Sequence, residues 1–229
     1  MKNIKLVILI FLLSSILFAQ EFKVNKINGK VLVQKGLEDS YTPVKNGDIL
    51  NGDDLIITED KSFIQLEREN NRFILKANSA LGLNHIRKVS VNDLLLALAM
   101  EEIRNIPTNK QNGIEKNTAV YGENISTDVD SKLPINKLGS MKINGAKQLS
   151  ENGFHESAII VSKDTFRKYP STKLNFDDRI YFANLLEDLN LYNETLDEYN
   201  SISKLDLTKD QQTFVNNKIE KISIKNLEN

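Results

Sequence analysis

Nucleophilic catalysis by Ser or Cys needs a positioned base, usually His, and this 229-residue chain has few candidates. Its two histidines are His85 and His155, and neither accompanies a Ser in a strand–turn–helix nucleophile elbow. The chain has no Cys, which excludes a thiol nucleophile and a zinc site built on thiolates. Two isolated histidines without a carboxylate at ligand spacing do not form a zinc site either. We therefore predict no catalytic residues, no metal and no cofactor.

Adjacent acidic residues offer a second chemistry, because glycoside hydrolysis uses two carboxylates that face each other across a cleft. Neighbouring acids on a helix point to different sides, and acids between strands are typical of turns. Solvated surface or turn formation therefore explains these residues, and an enzyme would need a cleft that brings distant carboxylates together. The pairs are Asp53 with Asp54, Glu101 with Glu102, Asp177 with Asp178, and Glu187 with Asp188.

The first twenty residues predict export. Lys2 and Lys5 precede an apolar run over residues 6–18, and Ala19 stands at a plausible cleavage position, as in a secretory signal peptide. Such a run rises about 20 Å as a helix, which is too short for a hydrocarbon core of about 30 Å. We expect cleavage of residues 1–19 and a mature protein in the periplasm or cell envelope without a stable membrane span. An uncleaved anchor is the alternative.

Charge and cysteine content narrow the function classes of the mature chain. Removing Lys2 and Lys5 takes away two of the 30 basic residues, so the acidic residues, 31 in number, exceed the basic ones by three. This mild acidity argues against nucleic-acid binding, which usually needs a clustered basic face. An exported chain without Cys must be stabilised by its core alone.

Alternating apolar and polar residues predict an all-β region before residue 84. In one such run Ile64 and Leu66 would face the core, while Phe63 and Gln65 would face outward. Residues 69–71 predict a hairpin connection, because Asn tolerates a positive φ. The predicted strands are 30–34, 54–58, 62–67, 72–76 and 79–83.

Three short motifs accompany the strands, namely Gly29-x-Val31-x-Val33, Gly47-Asp48-Ile49-Leu50 and Asp54-x-Ile56-x-Thr58. With them the pattern resembles the FecR family, which is named after the iron-dicitrate transport regulator of Gram-negative bacteria. The resemblance implies an extracytoplasmic all-β domain. Regulators of this family have an anti-sigma segment and a membrane helix ahead of that domain, whereas only the predicted signal peptide precedes it here, so we do not expect anti-sigma activity. Stand-alone exported domains of this type joined to helical repeats look like envelope adaptors or ligand sensors.

Residues 89–106 change to a helical period, with Ser90 as the expected N-cap and Pro107 beyond the end. The broad apolar side of this helix predicts that it covers an open face of the sheet. Membrane-surface binding is the alternative, but the polar side is mostly acidic, and interfacial helices favour Lys and Arg. We thus predict a β domain over residues 20–106, then a polar linker over 107–133 with a late strand at 118–122.

The rest of the chain, residues 134–229, predicts helices joined by short turns. Residues 152–157 and 190–195 are similar at an offset of 38, and the same offset aligns Gly145 with Ala183, where small side chains let helices approach closely. Self-similarity of this period indicates a helical solenoid. The predicted helices are 137–151, 155–168, 177–190, 193–204 and 209–222.

These helical pairs resemble tetratricopeptide repeats, most closely through Phe182-Ala183, Tyr192 and Tyr199. Residues 171–175 are expected to form an extended loop, and 209–222 a capping helix whose N-cap, Thr208, forms a capping box with Gln211.

The predicted fold class is therefore α+β, with an all-β domain followed by helical hairpins. In such repeats the first helix of each pair lines a concave face, where Asn184 and Glu187 are expected to bind a peptide. The resulting prediction is a non-catalytic envelope scaffold that binds a protein or peptide. The alternative is a module that binds a cell-wall polymer or carbohydrate through its β domain, for which only Tyr41 and Phe63 offer rings.

Overall fold

The computed structural model describes residues 20–38, 40–69, 71–105 and 134–228. The predicted signal peptide, residues 1–19, and the predicted late strand, residues 118–122, lie outside these ranges. Over the described residues the chain has eight short strands followed by six α-helices, so the fold class is α+β as predicted.

Eight strands of the described residues form two four-stranded sheets. The strand orders are β4-β1-β6-β7 and β3-β2-β5-β8, and the paired registers are antiparallel. The strands are β1 (Glu21–Asn28), β2 (Val31–Gln34), β3 (Tyr41–Pro43), β4 (Ile49–Asn51), β5 (Leu55–Thr58), β6 (Phe63–Arg68), β7 (Asn71–Leu75) and β8 (Ser79–Gly82).

All five predicted strands are present within about two residues of their expected ends. The sequence prediction missed β1, β3 and β4. Strand β1 is the longest of the described strands, but its pairing with β6 shifts between Val24 and Lys26, so its apolar residues do not keep a strict alternation. Strands β3 and β4 have three residues each, too few to show a period.

The connection between β6 and β7 is shorter than predicted. Arg68 pairs with Asn71, so Asn71 already belongs to β7 and not to the connection. Glu69 takes a φ of 51°, which is uncommon for a residue other than Gly. The predicted inward side chains of β6 are confirmed, since Ile64 and Leu66 are buried.

The acidic turn before β5 is explained by backbone hydrogen bonds. Asp54 is buried, and its carboxylate accepts hydrogen bonds from the backbone N–H groups of Asn51 (2.9 Å) and Gly36 (3.3 Å). A carboxylate with such donors does not need a metal to offset its burial.

The described residues divide into two compact units. Of the described residues, those within 20–77 and 82–84 form the β unit, and those within 78–81, 85–105 and 134–228 form the helical unit. The helices are α1 (Val91–Asn105), α2 (Ile135–Glu151), α3 (His155–Lys168), α4 (Phe176–Asp188), α5 (Tyr192–Ile202) and α6 (Lys209–Leu227).

The predicted helix ends are largely confirmed. Ser90 Oγ accepts a hydrogen bond from the backbone N–H of Asp93 (3.1 Å), as expected for the N-cap of α1. Thr208 and Gln211 form the predicted capping box at the start of α6. Consecutive helices from α2 to α6 pack against each other. A buried cluster of Ala183, Tyr199, Ile202 and Val215 joins α4, α5 and α6.

Three details of the helical unit differ from the predictions. Helix α1 packs against α3 and clusters with the helical unit, whereas the prediction assigned it to the β domain. Residues 171–175 do not form an extended loop, since Pro170–Leu174 is a 3-10 helix. Gly145 allows close approach of a strand and not of a helix, since a Cβ there would lie 2.2 Å from the carbonyl oxygen of Ala80 in β8.

Candidate functional site

The two predicted binding residues lie together on α4. Asn184 Oδ1 accepts hydrogen bonds from the Tyr199 hydroxyl (2.8 Å) and from Lys218 Nζ (3.1 Å). The Glu187 carboxylate accepts from Lys218 Nζ and Lys225 Nζ, both at 2.8 Å. Helix α6 therefore contacts this part of α4, and its two lysines already satisfy Asn184 and Glu187.

Electrostatics keeps Glu187 ionised at neutral pH. Burial raises the pKa of Glu187, but the hydrogen bonds from Lys218 and Lys225 outweigh it, so that the pKa lies below its usual value. Burial, followed by the negative charge of Glu187, raises the pKa of Tyr199. Tyr199 thus stays protonated and donates its hydrogen bond to Asn184.

The other end of α4 contacts α2. Lys147 of α2 pairs with Asp178, and its Nζ lies 5.5 Å from the centre of the Tyr181 ring. Asp178, Tyr181, Asn184 and Glu187 are spaced three residues apart, so each is a neighbour of the next on the surface of α4, and all four are partly exposed. At about 100° per residue, the series winds from one side of the helix to the other. We call these four residues the α4 row.

A second feature of the helical unit was not predicted. A cleft of about 230 Å³ is lined by residues from α1, α3, α4, α5 and the 3-10 helix. We call it the charged cleft. Its cations are Lys163, Arg167, Lys173 and Arg179, its acids are Glu101, Asp197 and Glu198, and Phe166 and Ser201 complete the lining.

A buried ion triad forms one wall of the charged cleft. Glu198 is 4% exposed, and its two carboxylate oxygens accept hydrogen bonds from Lys163 and Arg179 respectively. Arg179 is 5% exposed, donates a further hydrogen bond to Ser201 Oγ (3.1 Å), and lies 5.5 Å from the centre of the Phe166 ring. Burial raises the pKa of Glu198, but the charges of Lys163 and Arg179 outweigh it and hold the pKa below its usual value. Glu198 is therefore ionised at neutral pH.

Sequence reasoning missed the triad because its members are distant along the chain. Lys163 and Glu198 are 35 residues apart, and Arg179 and Glu198 are 19 apart. One sequence signal was available, namely that Arg179 occupies the buried side of α4 among Phe182, Leu185 and Leu186. A charged residue at such a position usually has a buried partner.

The histidines do not belong to either surface. His155 Nδ1 lies 3.0 Å from Ser150 Oγ across the turn between α2 and α3, and Ser150 is buried. Burial, followed by the charge of Lys142, lowers the pKa of His85 to about 4. Within the described ranges, no group of three or more His, Asp or Glu residues could hold a metal ion. None of the described helices has the length and hydropathy to cross a membrane.

Comparison of the chain with models of known protein families, with curated proteins and with solved structures found no match.

Proposed function

We propose that this chain is a non-catalytic, exported protein of the cell envelope that acts as a scaffold or adaptor by binding another protein through its helical unit. The observation that carries the proposal is the α4 row. It presents a carboxylate, an aromatic ring, an amide and a second carboxylate, all partly exposed, in a series that winds along α4. These groups suit a peptide, which offers both hydrogen-bonding and apolar surface.

The order of the helices supports the same proposal. Lys147 of α2 contacts one end of the row, and Lys218 and Lys225 of α6 contact the other. Helices at alternate positions in the chain thus both contact the row, which is the relation expected of the tetratricopeptide-like stack that the sequence resembles. The lysines hold the row in one conformation, so little side-chain entropy is lost when a partner binds.

Site-specific crosslinking in an envelope extract tests this proposal. A photoreactive residue at position 188, an exposed position next to Glu187, is expected to capture one discrete protein, and excess unlabelled chain should suppress that product. The matched control carries the same group at Lys45, which is exposed in the β unit. Equal capture from both positions, or none from position 188, would contradict a binding face on α4.

Location is tested by fractionation. The proposal expects the mature protein in the periplasmic or envelope fraction, with a new N-terminus at Gln20. A protein that keeps Met1 and sediments with ribosomes would contradict export.

The alternative is that the β unit binds a cell-wall polymer or carbohydrate. Tyr41 belongs to β3 and Phe63 to β6, which lie in different sheets, and Lys26 Nζ lies 5.7 Å from the Phe63 ring. This arrangement does not favour a shared platform of rings. Retention of the chain by purified peptidoglycan, combined with a negative result at position 188, would favour the alternative.

A further inference from the structure

The charged cleft has more positive than negative charge close to its buried wall. Glu198 carries one negative charge and is paired with two cations, Lys163 and Arg179. Lys173 lines the same space, and its ammonium group has no ion pair among the residues that the structure describes. Across the whole lining, four cations face three acids.

We propose that the charged cleft binds the carboxylate of an acidic side chain from a partner peptide. This inference goes beyond the proposed function and does not use the α4 row, because no residue of the row lines the cleft.

Hydrogen-bond donors are available for such a group. A guanidinium has five N–H donors. Those of Arg179 reach Glu198, Ser201 Oγ at 3.1 Å and the Lys173 carbonyl oxygen at 3.5 Å, which leaves two without a partner among the described residues. Lys163 donates one of its three N–H groups to Glu198. Hydrogen bonds from ionised donors to a carboxylate are among the strongest that proteins form.

Burial organises these donors in advance. Arg179 is held by Glu198 on one side and by the Phe166 ring on another, so its planar group has little freedom. An incoming carboxylate would bind to a cation that is already fixed, so little side-chain entropy would be lost on binding.

Size and net charge favour a carboxylate over a larger anion. The cleft measures about 230 Å³, whereas sites for drug-sized ligands measure about 300–1,000 Å³. This volume suits one acidic side chain. A surplus of one positive charge matches a monoanion, and the additional charge of a phosphate would be repelled by Glu198 and Asp197.

The test is calorimetric titration of the purified mature chain with an acetylated, amidated tetraglutamate peptide, using tetraglutamine as the uncharged probe. We expect tetraglutamate to bind and tetraglutamine not to bind. Lys173→Gln and Lys163→Gln should each weaken binding about tenfold, the scale of one charge-assisted hydrogen bond. Lys221→Gln, at an exposed position of α6, is the matched control and should leave the affinity unchanged.

Three results would overturn the inference. They are equal binding of the two peptides, unchanged affinity in both Lys173→Gln and Lys163→Gln, and tighter binding of inorganic phosphate than of tetraglutamate. Thermal unfolding of each variant shows whether it is folded, and Lys173→Gln removes only a partly exposed side chain. The crosslinking experiment reports on position 188, so either proposal can fail while the other succeeds.

Discussion

The β unit and the helical unit bury charge in different ways. In the β unit the buried carboxylate of Asp54 is satisfied by backbone N–H groups. In the helical unit the buried carboxylate of Glu198 is satisfied by the side chains of Lys163 and Arg179. Substitutions other than those to Pro leave a backbone N–H donor in place, whereas a side-chain donor is lost when its residue is replaced. The stability of the helical unit should therefore be more sensitive than that of the β unit to substitution of charged residues and to pH.

Removing one cation of the ion triad should cause the largest loss in the free energy of unfolding. We expect Arg179→Met to destabilise the chain by about 4 kcal/mol, because it leaves Glu198 buried with Lys163 as its only cation. Urea unfolding at pH 7 measures this loss.

The control for that experiment is the double variant Arg179→Met with Glu198→Gln, which removes both charges. It should be more stable than Arg179→Met alone. A loss below about 1 kcal/mol in Arg179→Met would show that the triad contributes little, since exposed ion pairs are worth that much at most.

A core substitution in the β unit tests whether a loss of stability there is independent of pH. Ile64→Ala should destabilise the chain by about 3 kcal/mol, because it removes fully buried apolar atoms and leaves a cavity. No ionised group is lost, so the difference from the wild type should be the same at pH 7 and pH 5. Gln65→Ala, at a partly exposed position of the same strand, should change stability by less than about 0.5 kcal/mol. A pH-dependent loss in Ile64→Ala would contradict the contrast between the units.

His85 should make the stability of the helical unit depend on pH. Burial, then Lys142, Arg87 and Lys168, lower the pKa of His85 from 6.5 to about 4, against the opposing charge of Asp164. Because the folded-state pKa is the lower one, the unfolded chain binds the proton first as pH falls. The stabilisation is therefore fully present above pH 6.5 and should decline by about 3 kcal/mol as the pH falls to 4.

Urea unfolding at pH 7, 6, 5 and 4.5 measures this decline, and His85→Phe should reduce it. The loss attributable to Glu187 and Glu198 is separate. Their pKa values are lowered in the folded chain, so their contribution is present above pH 4.5 and is lost only as pH falls further. An unchanged slope between pH 6.5 and 5 in His85→Phe would contradict the assignment to His85.

The smallest expected loss of stability comes from removing the helix cap at the start of α6. Thr208→Ala should destabilise the chain by about 1 kcal/mol, because the capping box at the start of α6 loses its hydrogen bond to Gln211. Thermal unfolding is sufficient to detect this change. Lys221→Ala, within the same helix, is the control and should have an effect near zero. Equal effects of the two substitutions would show that the cap does not stabilise α6.

Local patterns accounted for most of the fold that could be predicted. The alternation of Ile64 and Leu66 identified β6, and the chemistry of Ser90 and Thr208 identified two helix starts. The register shift after Val24 concealed β1, because alternation carries no signal across a bulge.

The sites were less predictable than the strands and helices, because their contacts join residues that are distant along the chain. Asn184 and Glu187 could be placed on one helix face from their spacing, but their contacts with Lys218 and Lys225 come from 31 to 38 residues away. The triad depends on three separate helices packing in one way. Such contacts follow from tertiary structure, which a period along the chain does not encode.

The division of the chain into units has a practical consequence for fragments. Residues 78–81 cluster with the helices although they lie between parts of the β unit, and α1 clusters with them too. A truncated polypeptide ending within residues 106–133 would contain Leu81 and Leu94 without the helices that follow. These leucines would then become accessible to solvent, and such a product should aggregate or be degraded by quality-control proteases. A nonsense mutation in this segment should thus behave as a complete loss of the protein.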